Sequence, residues 1–140
     1  MRQAGTILVV EDNPRLLEMT ARMLRTGGYT VYEAISAAEA IAIHRAHPGE
    51  IDLILTDVRM PLLNGTDLAD RVRAGDPGMP FLFMSGDREG SPPGVLLKPF
   101  RMAQLWDAVA NSLAQIAAKD RTIRAAATAA RAASASGHFS

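Results

Sequence analysis

Five polar side chains stand out because each closes a short apolar run. Glu11 and Asp12 follow Ile7-Leu8-Val9-Val10, and Asp57 closes Leu53-Ile54-Leu55-Thr56. Ser85 follows Phe81-Leu82-Phe83-Met84, and Lys98 follows Val95-Leu96-Leu97. If the runs are parallel strands, all five converge beyond the carboxyl ends of the strands, where open α/β sheets bind their ligands. Three carboxylates crowded there repel one another by several kcal/mol unless a cation neutralises them or one takes up a proton. Neither cysteine nor a nearby histidine offers a softer ligand. Mg²⁺ suits a site of few carboxylates, open water positions and a phosphate. Lys98 adds a compact positive charge suited to a phosphoryl oxygen. The chain has two lysines against 13 arginines, so a lysine here runs against its own usage.

A carboxylate can attack phosphorus and form an acyl phosphate. Phosphoryl transfer asks mainly for alignment and neutralisation of the equatorial oxygens. Asp57 ends the middle strand among the candidate metal ligands and is the expected nucleophile. Asp12 is expected to bind the metal directly, and Glu11 through water or from behind. The backbone carbonyl of Arg59 adds a further ligand, while Lys98 and Ser85 each contact a phosphoryl oxygen.

The elements that must position these residues are legible. Continuous apolar runs of about four residues suit strands buried on both faces of a parallel sheet. A fifth segment, Thr30 to Ala34, alternates like a strand nearer an edge. Between the runs, Asn13 caps a helix with Pro14 at its first position, Leu16, Leu17, Thr20, Met23 and Leu24 on one face, and Gly27-Gly28 as its stop. Ser36 to Glu39 reads as a capping box opening a helix that ends before Pro48. Asn64-Gly65 opens a third helix with Leu68 and Val72 four apart, and a last helix after Pro99 carries Leu105, Val109, Leu113 and Ile116. Strands alternating with helices predict an α/β doubly wound sheet with right-handed crossovers. His44 and His47, far from the rim, read as surface residues. Trp106 and Phe100 read as packing for the last helix, and Met19, Met23, Met84 and Met102 as core filler.

Composition narrows the classes. The 140 residues are 48% hydrophobic and 21% charged, enough for one domain with a normal core. The formal net charge is zero, which gives no general attraction to nucleic acid or anionic membrane. The absence of cysteine excludes disulfides, thiolate zinc sites and a cysteine nucleophile. The first apolar run is too short for a signal peptide core or a membrane span, so a cytoplasmic protein is expected. Residues 1–118 read as the folded domain. Residues 119–140 read as an alanine-rich helical extension or flexible tail, with too few basic residues to claim nucleic acid. If the last helix runs on to about residue 135, it is roughly 50 Å long and offers a surface for a homodimer.

Four motifs in order, Val9-Val10-Glu11-Asp12-Asn13, Leu55-Thr56-Asp57-Val58-Arg59-Met60-Pro61, Met84-Ser85-Gly86 and Leu97-Lys98-Pro99-Phe100, resemble the receiver domain of two-component response regulators. The resemblance spans roughly residues 5–118. It implies a flavodoxin-like five-stranded sheet of order 2-1-3-4-5 and a cis Lys98–Pro99 bond. It also implies Mg²⁺-dependent phosphorylation of Asp57 by a partner phosphohistidine, on a sensor histidine kinase or a histidine phosphotransferase. Such a domain is a phosphoacceptor in a phosphorelay and not an enzyme in its own right. It alters the binding of a downstream partner, which the sequence does not identify, or passes the phosphate on.

Two departures from that pattern bear on signalling. Only 13 positions separate Ser85 from Lys98, an interval that in receivers holds a full crossover helix. Here Gly86 to Gly94 contains three glycines and two prolines, so that helix is expected to be missing or reduced to one turn. Fully extended, the ten residues from Ser85 to Gly94 reach about 33 Å, enough to return between parallel strands. In addition, Val95 stands where receivers usually carry a switch aromatic. Arg59 and Asp87, each two residues beyond a site residue, are expected to pair over the mouth. A non-phosphorylated pseudo-receiver acting as an interaction module is the alternative. An aspartate-dependent phosphatase is disfavoured, because Arg59 stands where its acid would be needed.

Overall fold

The computed structural model describes residues 5–117. In chain order the elements are β1 (Thr6–Val10), α1 (Pro14–Thr26), β2 (Thr30–Ala34), α2 (Ala37–Ala46), β3 (Leu53–Asp57), α3 (Gly65–Gly75), β4 (Phe81–Ser85) and β5 (Leu96–Leu97). A last helix, α4, covers residues 102–117. All neighbouring strands are parallel, in the order β2-β1-β3-β4-β5. This is the flavodoxin-like doubly wound fold expected from the sequence.

The apolar runs are continuous because each strand feeds two cores. Ile7 and Val9 of β1 join Leu55 and Met84 against Leu17 and Leu24 of α1 and Leu105 and Val109 of α4. Leu8 and Val10 point the other way and meet Ile54, Ala40 of α2, and Leu68 and Val72 of α3. The pleat sends successive side chains to opposite faces, so only an unbroken apolar run satisfies both layers.

Helix starts follow the sequence signals. The Asn13 side chain accepts from Arg15 and Leu16 amides, Ser36 Oγ from Glu39 at 3.1 Å, and Asn64 Oδ1 from Asp67 at 2.9 Å. Trp106 donates its indole N–H to the Met23 carbonyl at 2.8 Å, which ties α4 to α1.

No residue from 86 to 95 is helical, so the crossover helix between β4 and β5 is missing. Right-handed crossovers from β3 to β4 to β5 would place it on the α2–α3 face. There Phe81 and Phe83 stay only half-buried, stacked with centroids 5.9 Å apart, and the Arg73 guanidinium lies 5.0 Å from the Phe81 ring.

Some expectations need correction. Leu16 is on the expected apolar face of α1 but is exposed, and Ala21 takes its place in the core. Met84 is fully buried and Met23 packs against the core, but Met19 is 49% and Met102 38% exposed, so these two are not core filler. His44 and His47 are half-buried rather than free on the surface. His44 meets Asp76 at 3.0 Å, and His47 stacks on Tyr32 and meets Glu50 at 2.9 Å. The expected tail over 119–140, and a homodimer through an extended last helix, concern residues outside those described.

Candidate functional site

The carboxyl ends of β1, β3, β4 and β5 are stitched to one another, and this stitching gathers the site. The Val58 amide donates to the Met84 carbonyl at 2.9 Å, and the Lys98 amide to the Ser85 carbonyl at 2.8 Å. Glu11, at the end of β1, donates its amide to Ala34 of β2 at 3.1 Å. The result is a cleft of about 410 Å³ lined by Glu11, Asp12, Asp57, Arg59, Ser85, Asp87 and Lys98, among others. Every sequence-predicted site residue therefore lines one cleft. Glu11, Asp57 and Ser85 are buried, Lys98 is half-buried, and Asp12 and Arg59 are exposed at the mouth.

Lys98 Nζ reaches Asp57 Oδ1 at 2.5 Å and Glu11 Oε1 at 2.6 Å. One ammonium thus bridges two buried carboxylates. Charge-assisted contacts of this length are the strong kind, and they outweigh the cost of burial at Glu11 but not at Asp57. Carboxylate oxygens of Glu11, Asp12 and Asp57 lie within 4.8 Å of one another. Burial, and then the neighbouring Glu11, push the Asp57 carboxyl up to about 8, against the pull of Lys98. Burial also acts to raise Glu11, but its contacts with Asp57 and Lys98 outweigh it and hold Glu11 below the usual range. Asp12 is raised by desolvation and by Glu11. Burial works to lower Lys98, yet its two carboxylate partners raise it. Three close carboxylate groups, two of them raised by burial and by Glu11, make a donor set that fits a hard divalent cation.

Ser85 Oγ accepts from the Asp87 amide at 3.1 Å. The Lys98–Pro99 peptide is cis, as the resemblance implied. Arg59 and Asp87 face each other at 4.0 Å with both side chains largely exposed, so the expected pair over the mouth forms, loosely.

Sequence reasoning missed Gly65, which it read only as a helix start. The Gly65 amide donates to the Val58 carbonyl at 2.7 Å, and a Cβ at this position would sit 2.1 Å from the Asp57 carbonyl oxygen. Gly65 lets the head of α3 lie directly against the backbone of the candidate acceptor. The Asn-Gly pair ahead of the helix was the available signal. Also missed was an apolar groove of about 280 Å³ beside the cleft, lined by Leu16, Met19, Met23, Pro99 and Phe100 and sharing Glu11 and Lys98 with it.

Comparison with known proteins agrees with this architecture. A family model described as the response regulator receiver domain matches residues 7–110. Sensor kinase CckA of Brucella abortus is 36% identical over 119 residues, 79% of this chain and 13% of the kinase. The probable transcriptional regulatory protein TcrX of Mycobacterium tuberculosis is 35% identical over 83 residues, 59% of this chain and 35% of that protein. The chain thus spans well under two thirds of the length of these curated relatives. Among solved structures, the receiver domain of a hybrid histidine kinase CckA superposes with a TM-score of 0.69 at 37% identity, covering 78% of this chain and 99% of that one. A receiver domain protein from Clostridium thermocellum gives 0.73 at 26% identity, covering 80% and 96%. The five-stranded order, the gathered strand ends and the matched stretch lead to one assignment: this chain belongs to the response regulator receiver domain family.

Proposed function

We propose that this receiver is a phosphoacceptor. Asp57 takes a phosphoryl group from the phosphohistidine of a sensor histidine kinase or a histidine phosphotransferase in a Mg²⁺-dependent step, and then alters a partner's binding or relays the phosphate. The observation that carries this reading is the buried Glu11–Lys98–Asp57 arrangement opening on a cleft at the strand ends.

In the transfer, an Asp57 carboxylate oxygen attacks phosphorus. The O–P bond forms as the N–P bond of the donor breaks, and the imidazole leaves with that electron pair. Asp57 must be ionised to attack, and Lys98 favours that form. As charge moves onto the phosphoryl oxygens, the Lys98 ammonium can follow it from Asp57 Oδ1, and the Ser85 hydroxyl has a hydrogen free to donate. Asp12, Asp57 and the Arg59 carbonyl, with Glu11 behind them, would hold Mg²⁺, which supplies neutralisation of the equatorial oxygens when bound. The apolar groove sharing Glu11, Leu16 and Lys98 with the cleft suits the docking of the protein that carries the phosphohistidine. No helix among the described residues is long and apolar enough to cross a membrane, and a cytoplasmic setting, where such kinases present their phosphohistidines, is part of the proposal.

The test is intact mass after incubation with acetyl phosphate and Mg²⁺. A gain of one phosphoryl group that disappears in Asp57→Asn supports the reading. No gain in the native sequence favours the pseudo-receiver, to which the helix-free crossover also lends weight.

A further inference from the structure

We infer that Arg59 and Asp87 form a charge latch that the phosphoryl group on Asp57 opens, so that the loop 86–94 itself becomes the switch. The inference rests on the phosphoacceptor reading above. Asp87 is the knot of this loop. Its amide donates to Ser85 Oγ at 3.1 Å, and its Oδ1 accepts from the Glu89 amide at 2.9 Å. Its carbonyl accepts from Ser91 Oγ at 2.6 Å, and its Oδ2 lies 4.0 Å from Arg59 Nη2. Arg59 also runs along the loop, since a Cβ on Gly90 would sit 3.7 Å from the same nitrogen.

The charge balance of the cleft decides what a phosphoryl group would do. Its lining carries four carboxylates, Glu11, Asp12, Asp57 and Asp87, against two cations, Lys98 and Arg59. Lys98 is held by Glu11 and Asp57 at short range, whereas Arg59 has only a long contact with an exposed partner. An acyl phosphate on Asp57 carries nearly two negative charges where the ionised carboxylate carried one, and adds three strong acceptors, and a guanidinium matches phosphate oxygens in bidentate fashion. The weak Arg59–Asp87 contact is the one this charge breaks. Ser85 completes the link: its oxygen already accepts from the Asp87 amide, and its hydrogen is free for a phosphoryl oxygen. Asp87 then loses its contact with Arg59 while its amide follows Ser85. Gly90 and Gly94, both at positive φ, provide the joints about which the loop resets. No aromatic at position 95 is needed for this coupling.

The test compares the full chain with Asp87→Asn and Arg59→Gln by amide NMR, before and after adding beryllofluoride with Mg²⁺ as the acyl phosphate mimic. Asp87→Asn keeps the acceptor for the Glu89 amide and removes only the charge. The latch predicts that both variants, without the mimic, already show the Gly90 and Ser91 amides moved most of the way toward their positions in the activated native protein. Loop amides that stay at their resting positions in both variants and still move fully on activation overturn it. Intact mass after acetyl phosphate, measured in parallel on the native chain, separates the two levels. A phosphoryl adduct with a loop that does not move overturns the latch alone. No adduct on Asp57 overturns the phosphoacceptor reading, and the latch with it.

Discussion

At Lys98 one ammonium faces two buried carboxylates, so its removal leaves uncompensated charge in the interior. Lys98→Met should destabilise the metal-free protein by about 3–5 kcal/mol, the cost of breaking a buried pair from one side, and denaturant unfolding with a chelator present would measure it. Asp57 gives a pH signature. Its native carboxyl holds a proton up to about 8, against 3.8 ordinarily. The stability it contributes is therefore complete below the ordinary value and is lost as the pH rises through about 8. Lys98 and Glu11, shifted in opposite directions, titrate outside this window. Metal-free stability should fall by ~2 kcal/mol between about pH 6 and pH 8, and most of that slope should be lost in Asp57→Asn, with Asp12, also raised, accounting for any remainder. Denaturant midpoints across that range check both. These residues were legible in the sequence because each closes an apolar run, and run ends in parallel sheets share a rim. That one crowded carboxylate could take up a proton was legible; that it is Asp57 was not, since this depends on burial and on how closely Glu11 and Lys98 approach.

The elements divide in the same way. Caps at Asn13, Ser36 and Asn64 announced three helices, and the glycines and prolines after Ser85 announced the missing one, because both signals act over a few neighbouring residues. The approach of α3 to the end of β3 was signalled only by the Asn64-Gly65 pair, which marks a helix start without saying how closely that start lies against the Asp57 backbone. Gly65→Ala drives a methyl against the Asp57 carbonyl and should cost about 1–3 kcal/mol or more. Thermal unfolding would show this, together with slower phosphoryl uptake from acetyl phosphate. The tie between α1 and α4 is smaller in scale. Trp106→Phe removes one hydrogen bond to the Met23 carbonyl and should cost about 1 kcal/mol, and uptake should be unaffected. Leu16 and Met19 were misplaced because a helical stripe wider than the core it meets leaves some apolar positions over.

At the scale of the whole molecule, the described residues 5–117 supply two complete packed layers, so a chain ending at residue 118 should unfold in a single transition and still take up phosphate. Calorimetry and intact mass test this domain boundary. The groove on α1 predicts a separation between donors. Met19→Lys should slow transfer from a phosphorylated histidine phosphotransferase at least several-fold, while uptake from acetyl phosphate, which needs no docking, stays as it was. Equal slowing with both donors would remove the groove from the mechanism. The sequence placed the cleft but not this surface, which arises only where α1 meets the segment after β5.

The ammonium that bridges Glu11 and Asp57 also has a bearing on how the protein is made. Because the domain carries its own counter-ion, the nascent chain can reach its final shape without waiting for magnesium. On the Mg²⁺-dependent phosphoacceptor reading, variation in the supply of the ion would then change how readily the domain receives a signal, while the number of correctly folded copies stays the same.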